Sequence, residues 1–309
     1  MRRLPIIALI AVATGFAAEP PPAPKPAEPS ADEAYDLGKS LFDQYAPAEI
    51  KEQYEFPSRE RWDEFAGRLQ QALDSDNLAE LATYEPEARS ALTALRALPG
   101  YEDYADWLAA RIDYIEAAKL ATRLPPPPAK PGQRAPNIPY YDLWMQRVRA
   151  RPVPARADEL MPILQAAFAA EGVPPEVAWL AEVESSLDPA ARSPAGAKGL
   201  FQLMPVTARS LGLSTLLPDE RANVEKSARA AARYLQALRA KFGEWPLAFA
   251  AYNAGEGRVR RMLAARSGHN FGDISAALPS ETRMYVPKVC ATIAVRTGMT
   301  PEKLAAPHS

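Results

Sequence analysis

Two proline-rich segments set the first constraint on the fold. Residues 19–30 read EPPPAPKPAEPS, and residues 124–139 read LPPPPAKPGQRAPNIP. Proline fixes φ and lacks a backbone N–H, so neither run suits a helix interior or a central strand. Each is expected to be an extended, polyproline-like connector. They separate a leader from a block at 31–123 and a second block at 140–309.

Both blocks read as helical. Glu60–Asp74 spaces Trp62, Phe65, Leu69 and Leu73 by 3, 4 and 4 residues, which is one face of an α-helix. Tyr101–Leu120 continues in the same style with Trp107, Leu108, Ile112, Ile115 and Leu120. In the second block, Asp158–Glu171 reads as a helix broken at Gly172, and Pro174-Pro175 opens the next, since proline is tolerated in a first turn. Ala222–Phe242 carries Val224, Ala228, Ala231, Leu235, Leu238 and Phe242 at alternating steps of 4 and 3, with Gly243 placed to end it. Trp245–Tyr252 is a shorter helix closed by Asn253-Ala254-Gly255, and Glu281–Thr297 a last one ending at Gly298. Hydrophobic residues make up 48% of the chain, enough to build a core. The expected class is all-α, with a helical C-terminal domain preceded by a separate helical N-terminal domain.

Several chemistries are excluded by what is scarce. Cys290 is the only cysteine, so there is no disulfide framework and no cysteine-based metal cluster. His269 and His308 are the only histidines and cannot form a helical two-histidine zinc pair. Neither a metal nor a cofactor is expected. Basic and aromatic residues do not interleave in any run, which argues against nucleic acid as a partner. Residues 31–139 carry 12 Lys and Arg against 20 Asp and Glu, and residues 140–309 carry 21 against 16. The second block is therefore mildly basic and suits a polyanionic partner.

Residues 1–18 read as a signal peptide. Arg2 and Arg3 form the basic region, Leu4–Phe16 is a short apolar stretch, and small residues lead to cleavage after Ala17 or Ala18. Export with no remaining integral span is expected. If residues 4–18 were retained instead, they would anchor the protein at the inner membrane.

One carboxylate stands out. In a helix from Pro175 to about Ser186, Val177, Leu180 and Ala181 form an apolar stripe. Glu184 is next on it, about 20° from Val177 at 100° per residue. Glu182 sits about 140° away and is expected to face water. A carboxylate on the core side is costly unless paired or neutral, so Glu184 is either a member of a structural ion pair or a general acid with a raised pKa. Asp188-Pro189 then ends the helix, and Ser193–Gly199 is a loop of small residues leading to Leu200-Phe201-Gln202-Leu203-Met204-Pro205. A helix ending in Glu, with such a loop folded over it, makes a cleft with an acid at its base.

These residues carry a resemblance. Glu184-Ser185, Ser193, Gly196-Ala197, Gly199 to Pro205 and Thr207-Ala208 resemble the signature of the family 1 (SLT-type) lytic transglycosylases. Ala250 to Gly255 is similar to that family's third motif and Glu281 to Val286 to its fourth, in the family's order. The segment Tyr140–Val183 looks most like the membrane-bound lytic transglycosylase D branch, although no LysM repeat of the kind common there occurs in the sequence. The resemblance implies a lysozyme-like, goose-lysozyme type of catalytic domain over 140–309. It implies cleavage of peptidoglycan between N-acetylmuramic acid and N-acetylglucosamine in the periplasm of a Gram-negative-type bacterium, with a 1,6-anhydro product.

Under the same resemblance, Glu184 is the single acid and base. Ser193 and Tyr252 orient the substrate's acetamido group or the intermediate. Gln202, Met204 and Asn253 line the cleft, and Tyr285 contacts Glu184 or sugar. Ser185 and Gly199 support the site, and Glu281 braces it. The other readings are a hydrolytic goose-type lysozyme and an inactive peptidoglycan-binding scaffold. Residues 31–123 lie outside the resemblance and are expected to be a helical accessory domain, open to a cell-wall protein partner.

Overall fold

The computed structural model describes residues 59–97, 102–123, 138–193 and 195–308. The signal peptide, the 19–30 tether, residues 31–58 and most of the 124–139 linker lie outside the described residues.

The described residues are all-α. The first block holds α1 (Arg59–Asp74), α2 (Leu78–Thr83), α3 (Glu85–Arg96) and α4 (Glu102–Arg123). Asn77 caps α2 by accepting from the backbone N–H groups of Ala79 and Glu80, which satisfies two of the donors a helix start leaves open. Phe65, Leu69 and Leu73 are buried, as their spacing predicts. The second block begins with α5 (Tyr141–Arg149) and α6 (Ala157–Ala170). A 3₁₀ turn at Pro175–Trp179 then leads into α7 (Leu180–Ser185). After α8 (Pro205–Ser210) come α9 (Val224–Phe242), α10 (Trp245–Ala254), α11 (Glu256–Arg266), α12 (Phe271–Ser275) and α13 (Ser280–Thr297).

Three differences from the sequence reading have local causes. The predicted helix from Pro175 is 3₁₀ for its first turn and α-helical only from Leu180, as helix starts often are. Glu182 does not face water, since its carboxylate is gripped by Arg296 from α13 at 2.7 and 2.8 Å. Asn253 lies inside α10 and is not its cap, and Gly255 takes the end with φ +86. The ends at Gly243 and Gly298 fall where predicted, both in the left-handed conformation that glycine adopts without strain.

The core is continuous from Phe65 to Leu304. Its axis is α13, buried along most of its length, which packs on α5, α10, α7 and the 3₁₀ turn on one side and on α1 and α4 on the other. The two helical blocks therefore meet on a shared helix. At its first turn, Ser280 donates from both its N–H and its hydroxyl to the Ser75 carbonyl, at 2.6 and 2.7 Å.

Candidate active site

Glu184 stands in the last turn of α7. The chain reverses there through Ser186 and Leu187, both at positive φ, so the segment 188–204 turns back over the end of the helix. The Ser185 hydroxyl lies 3.0 Å from the Ala181 carbonyl and 2.9 Å from that of Leu200, clasping helix to loop. The loop has no regular strand, only isolated bridges from Lys198 to Arg192 and to Leu203. Its shape is fixed by hydrogen bonds to its own backbone. The Ala197 N–H donates to Ser193 Oγ at 3.0 Å, and Gln202 Nε2 donates to the carbonyls of Ala191 and Gly199 at 3.2 and 2.9 Å. Arg221, buried, pins the loop from outside by donating to the carbonyls of Gly196 and Leu203 at 2.7 and 3.1 Å.

Beside this loop a cavity of about 760 Å³ contains Glu184. Gln202 and Ser185 line it on the loop side. Glu184 Oε1 accepts a hydrogen bond from the Tyr285 hydroxyl of α13. Burial pushes the Glu184 carboxyl up to about 7, against the lowering effects of the Tyr285 hydrogen bond and the nearby Arg111 and Lys288 cations; Glu281 adds a further upward push. A group titrating there is available as an acid and, once ionised, as a base near neutral pH. Tyr285→Phe should remove a donor that favours the ionised form. The Glu184 pKa should then rise, and the alkaline limb of the pH–rate profile should move to higher pH. An unmoved limb would show that Tyr285 does not tune the acid.

The remaining predicted residues sit around this point. The Tyr252 hydroxyl donates to the Phe201 carbonyl at 2.7 Å, tying α10 to the loop. Asn253 Oδ1 accepts from Thr282 Oγ1 at 2.7 Å, tying α10 to α13. Met204 is 42% exposed, which separates it from the core. Glu281 receives Arg111 Nη2 at 3.1 Å. Of the predicted substrate contacts, Gln202 lines the cavity with Glu184; Ser193, Met204, Tyr252, Asn253 and Tyr285 are not among its lining residues.

The opposite wall was not anticipated. Trp107, Arg111 and Asp113 of α4 and Arg147 of α5 line the same cavity, and Arg111 stacks over the Trp107 ring at 4.8 Å. Nothing in their spacing along α4 distinguishes them from ordinary helix-surface residues. His269 is exposed and plays no part in this cavity. Among the described residues, no group of His, Cys, Asp or Glu side chains is arranged to hold a metal.

The family model for the transglycosylase SLT domain matches residues 161–273. The match covers 113 of the 309 residues. The matched span contains Glu184, its loop and α10, whereas Glu281 and Tyr285 lie just beyond it. The membrane-bound lytic murein transglycosylase D of Escherichia coli (strain K12) is 39% identical over 143 residues, covering 45% of this chain and 32% of that protein. The soluble lytic murein transglycosylase of Salmonella typhimurium is 40% identical over 124 residues, covering 36% of this chain and 19% of the relative. The chain thus spans a third or less of the length of these relatives. The 70 kDa soluble lytic transglycosylase of Escherichia coli aligns with 89% of this chain and 47% of its own, at 22% identity and a TM-score of 0.43.

Proposed function

We propose that this protein is an exported peptidoglycan lytic transglycosylase that works with one carboxyl group. The observation that carries this reading is Glu184, held near neutral titration in the SLT-domain cavity and hydrogen-bonded to Tyr285. An ordinary glycosidase needs a second working carboxylate about 5–10 Å away. The other carboxylates of the inner wall are committed elsewhere. Asp188 pairs with Arg156 at 2.6 Å and accepts from the Ala190 N–H, as a turn residue does. Glu182 pairs with Arg296, Glu116 with Arg147, and Asp113 with Lys288. Asp106 is exposed on α4.

A single acid suffices if the substrate supplies the nucleophile. Protonated Glu184 gives its proton to the oxygen linking N-acetylmuramic acid to N-acetylglucosamine, and the glycosidic bond breaks. The muramic acetamido oxygen attacks its own anomeric carbon. Glu184, now ionised, takes the proton of the C6 hydroxyl, which displaces the acetamido oxygen and closes the 1,6-anhydro ring. Water is not consumed, and Glu184 ends protonated as it began. Tyr285 holds the carboxyl in place through both steps.

Mass spectrometry of fragments released from sacculi tests this. Anhydro-muramic ends are expected. Reducing-end muramic acid would assign hydrolysis of the goose-lysozyme kind, and binding without released fragments would assign a scaffold. The proposed site of action is the periplasm; no described helix is long and apolar enough to cross a membrane.

A further inference from the structure

On the α4 and α5 wall of the cavity, three cations share one carboxylate. Asp113 Oδ1 accepts from Arg147 at 2.6 Å and from Arg151. Asp113 Oδ2 accepts from Arg151 Nη1 at 3.0 Å and from Lys288 at 2.9 Å. Both oxygens are thus shared between two cations. Glu116 takes Arg147 at 2.8 Å through one oxygen, and Arg89 holds the other. Three cations of the cavity therefore converge on Asp113, while Arg89 is itself also held by Glu85. Burial pulls the Lys288 amine below its ordinary value, whereas Arg147 and Arg151 stay charged because arginine does not deprotonate. The same cations hold Asp113 well below the usual carboxylate range, so it cannot take up a proton to relieve the wall. Arg147, Arg151, Lys288, Asp113 and Glu116 all line the cavity that contains Glu184. Asp113 and Lys288 are 9% and 7% exposed, so this is a built feature and not a solvated surface cluster. Arg147 also keeps a buried Nε–H with no partner.

We propose that this wall is an anion subsite that receives a carboxylate of the glycan strand, with Arg151 as its accessible member. The Arg151 side chain is 35% exposed, and its guanidinium has donors beyond those given to Asp113. Only muramic residues carry carboxylates on such a strand, as a free lactyl group or within a stem peptide. Recognition there sets a muramic side chain against α4 and α5 while the sugar chain passes Glu184. The proposal rests on the glycan-cleaving reading and adds a substrate preference supplied by the block that precedes the SLT domain.

The test uses the full chain carrying Glu184→Gln, so that ligands are not turned over, with and without Arg151→Gln. Titration calorimetry reads three probes: chitotetraose, which has no carboxylate, peptide-free muramic oligomers, and oligomers bearing stem peptides. Loss of one charge-assisted contact should weaken a carboxylate-bearing probe by about tenfold and leave chitotetraose unchanged. Whichever muramic probe responds identifies the source of the carboxylate. Arg151→Lys, which keeps the charge, should recover part of the loss. Equal effects on all three probes, or none, would overturn the subsite. If anhydro ends are still formed by the unmutated protein, the lytic reading survives that outcome. Failure of every probe to bind removes the subsite and counts against the glycan reading as well.

Discussion

Glu184→Gln should lower glycan cleavage by about 10³-fold, within the range general acid–base catalysis supplies, and should at the same time stabilise the fold above neutral pH. Gln keeps the shape and still accepts from Tyr285, but it neither gives nor takes a proton. The stability gain follows from linkage. An unfolded Glu titrates at its ordinary 4.5, whereas burial moves the folded group to about 7. Below the lower value both states hold the proton and the substitution is neutral. As pH rises from 4.5 to 7, the unfolded chain ionises more readily than the folded one, so the native protein loses stability. Above 7 the difference is complete, on the order of 3 kcal/mol at most. Thermal melts at pH 4 and pH 8 should show the two proteins nearly equal at the first and the Gln variant higher at the second. A variant that stays active would remove Glu184 from the mechanism. A variant no more stable at pH 8 would show that Glu184 is not held in its neutral form by burial.

Gly199→Ala should be the most damaging single-methyl change in the loop. Gly199 has φ +81, and a Cβ there would stand 2.0 Å from the Arg221 carbonyl oxygen. That oxygen is backbone, and Arg221 is itself fixed by its bonds into the loop, so neither side can yield cheaply. The positive φ alone costs about 1–2 kcal/mol for a residue with a Cβ, and forcing the backbones apart adds about 1–3 kcal/mol. Gly196→Ala separates the two effects, because Gly196 has φ +86 but no atom within 4 Å of the added carbon. The Gly199 variant should melt lower than the Gly196 variant by several degrees, at roughly 2–4 °C per kcal/mol for a chain of this size. Cleavage should fall with it, since the shifted loop carries Gln202 and the Leu200 carbonyl that clasps Ser185. Equal melting points would mean that the approach of Gly199 to Arg221 is not tight in solution.

Much of this was legible because local rules act over a few residues. The 4-and-3 spacing of Val224 to Phe242 gave α9 to within two residues, and Gly243 and Gly298 marked ends through their freedom at positive φ. The core-side placement of Glu184 rested on the same periodicity. It held although the first turn from Pro175 is 3₁₀, because Leu180 to Glu184 is α-helical. Glu182 was misjudged for the opposite reason. Its partner Arg296 is far away in sequence, and no period announces an ion pair between distant helices. The wall built by Trp107, Arg111, Asp113, Arg147 and Lys288 was hidden in the same way. Asp113 looks like any polar helix position until folding brings cations from α5, the turn after it, and α13 onto its two oxygens. Motif residues could be matched to a family, whereas α4 could be read only once its neighbours were known.

The burial of α13 between both blocks carries a thermodynamic consequence. Glu184 comes from α7, but its hydroxyl donor comes from α13, and α13 is anchored at its start by Ser75 and midway by Asp113. The cavity around the acid is lined by residues of both blocks. Any molecule that binds the cavity must favour the docked state as a whole, so occupancy by a glycan and the folding of residues 59–123 are linked equilibria.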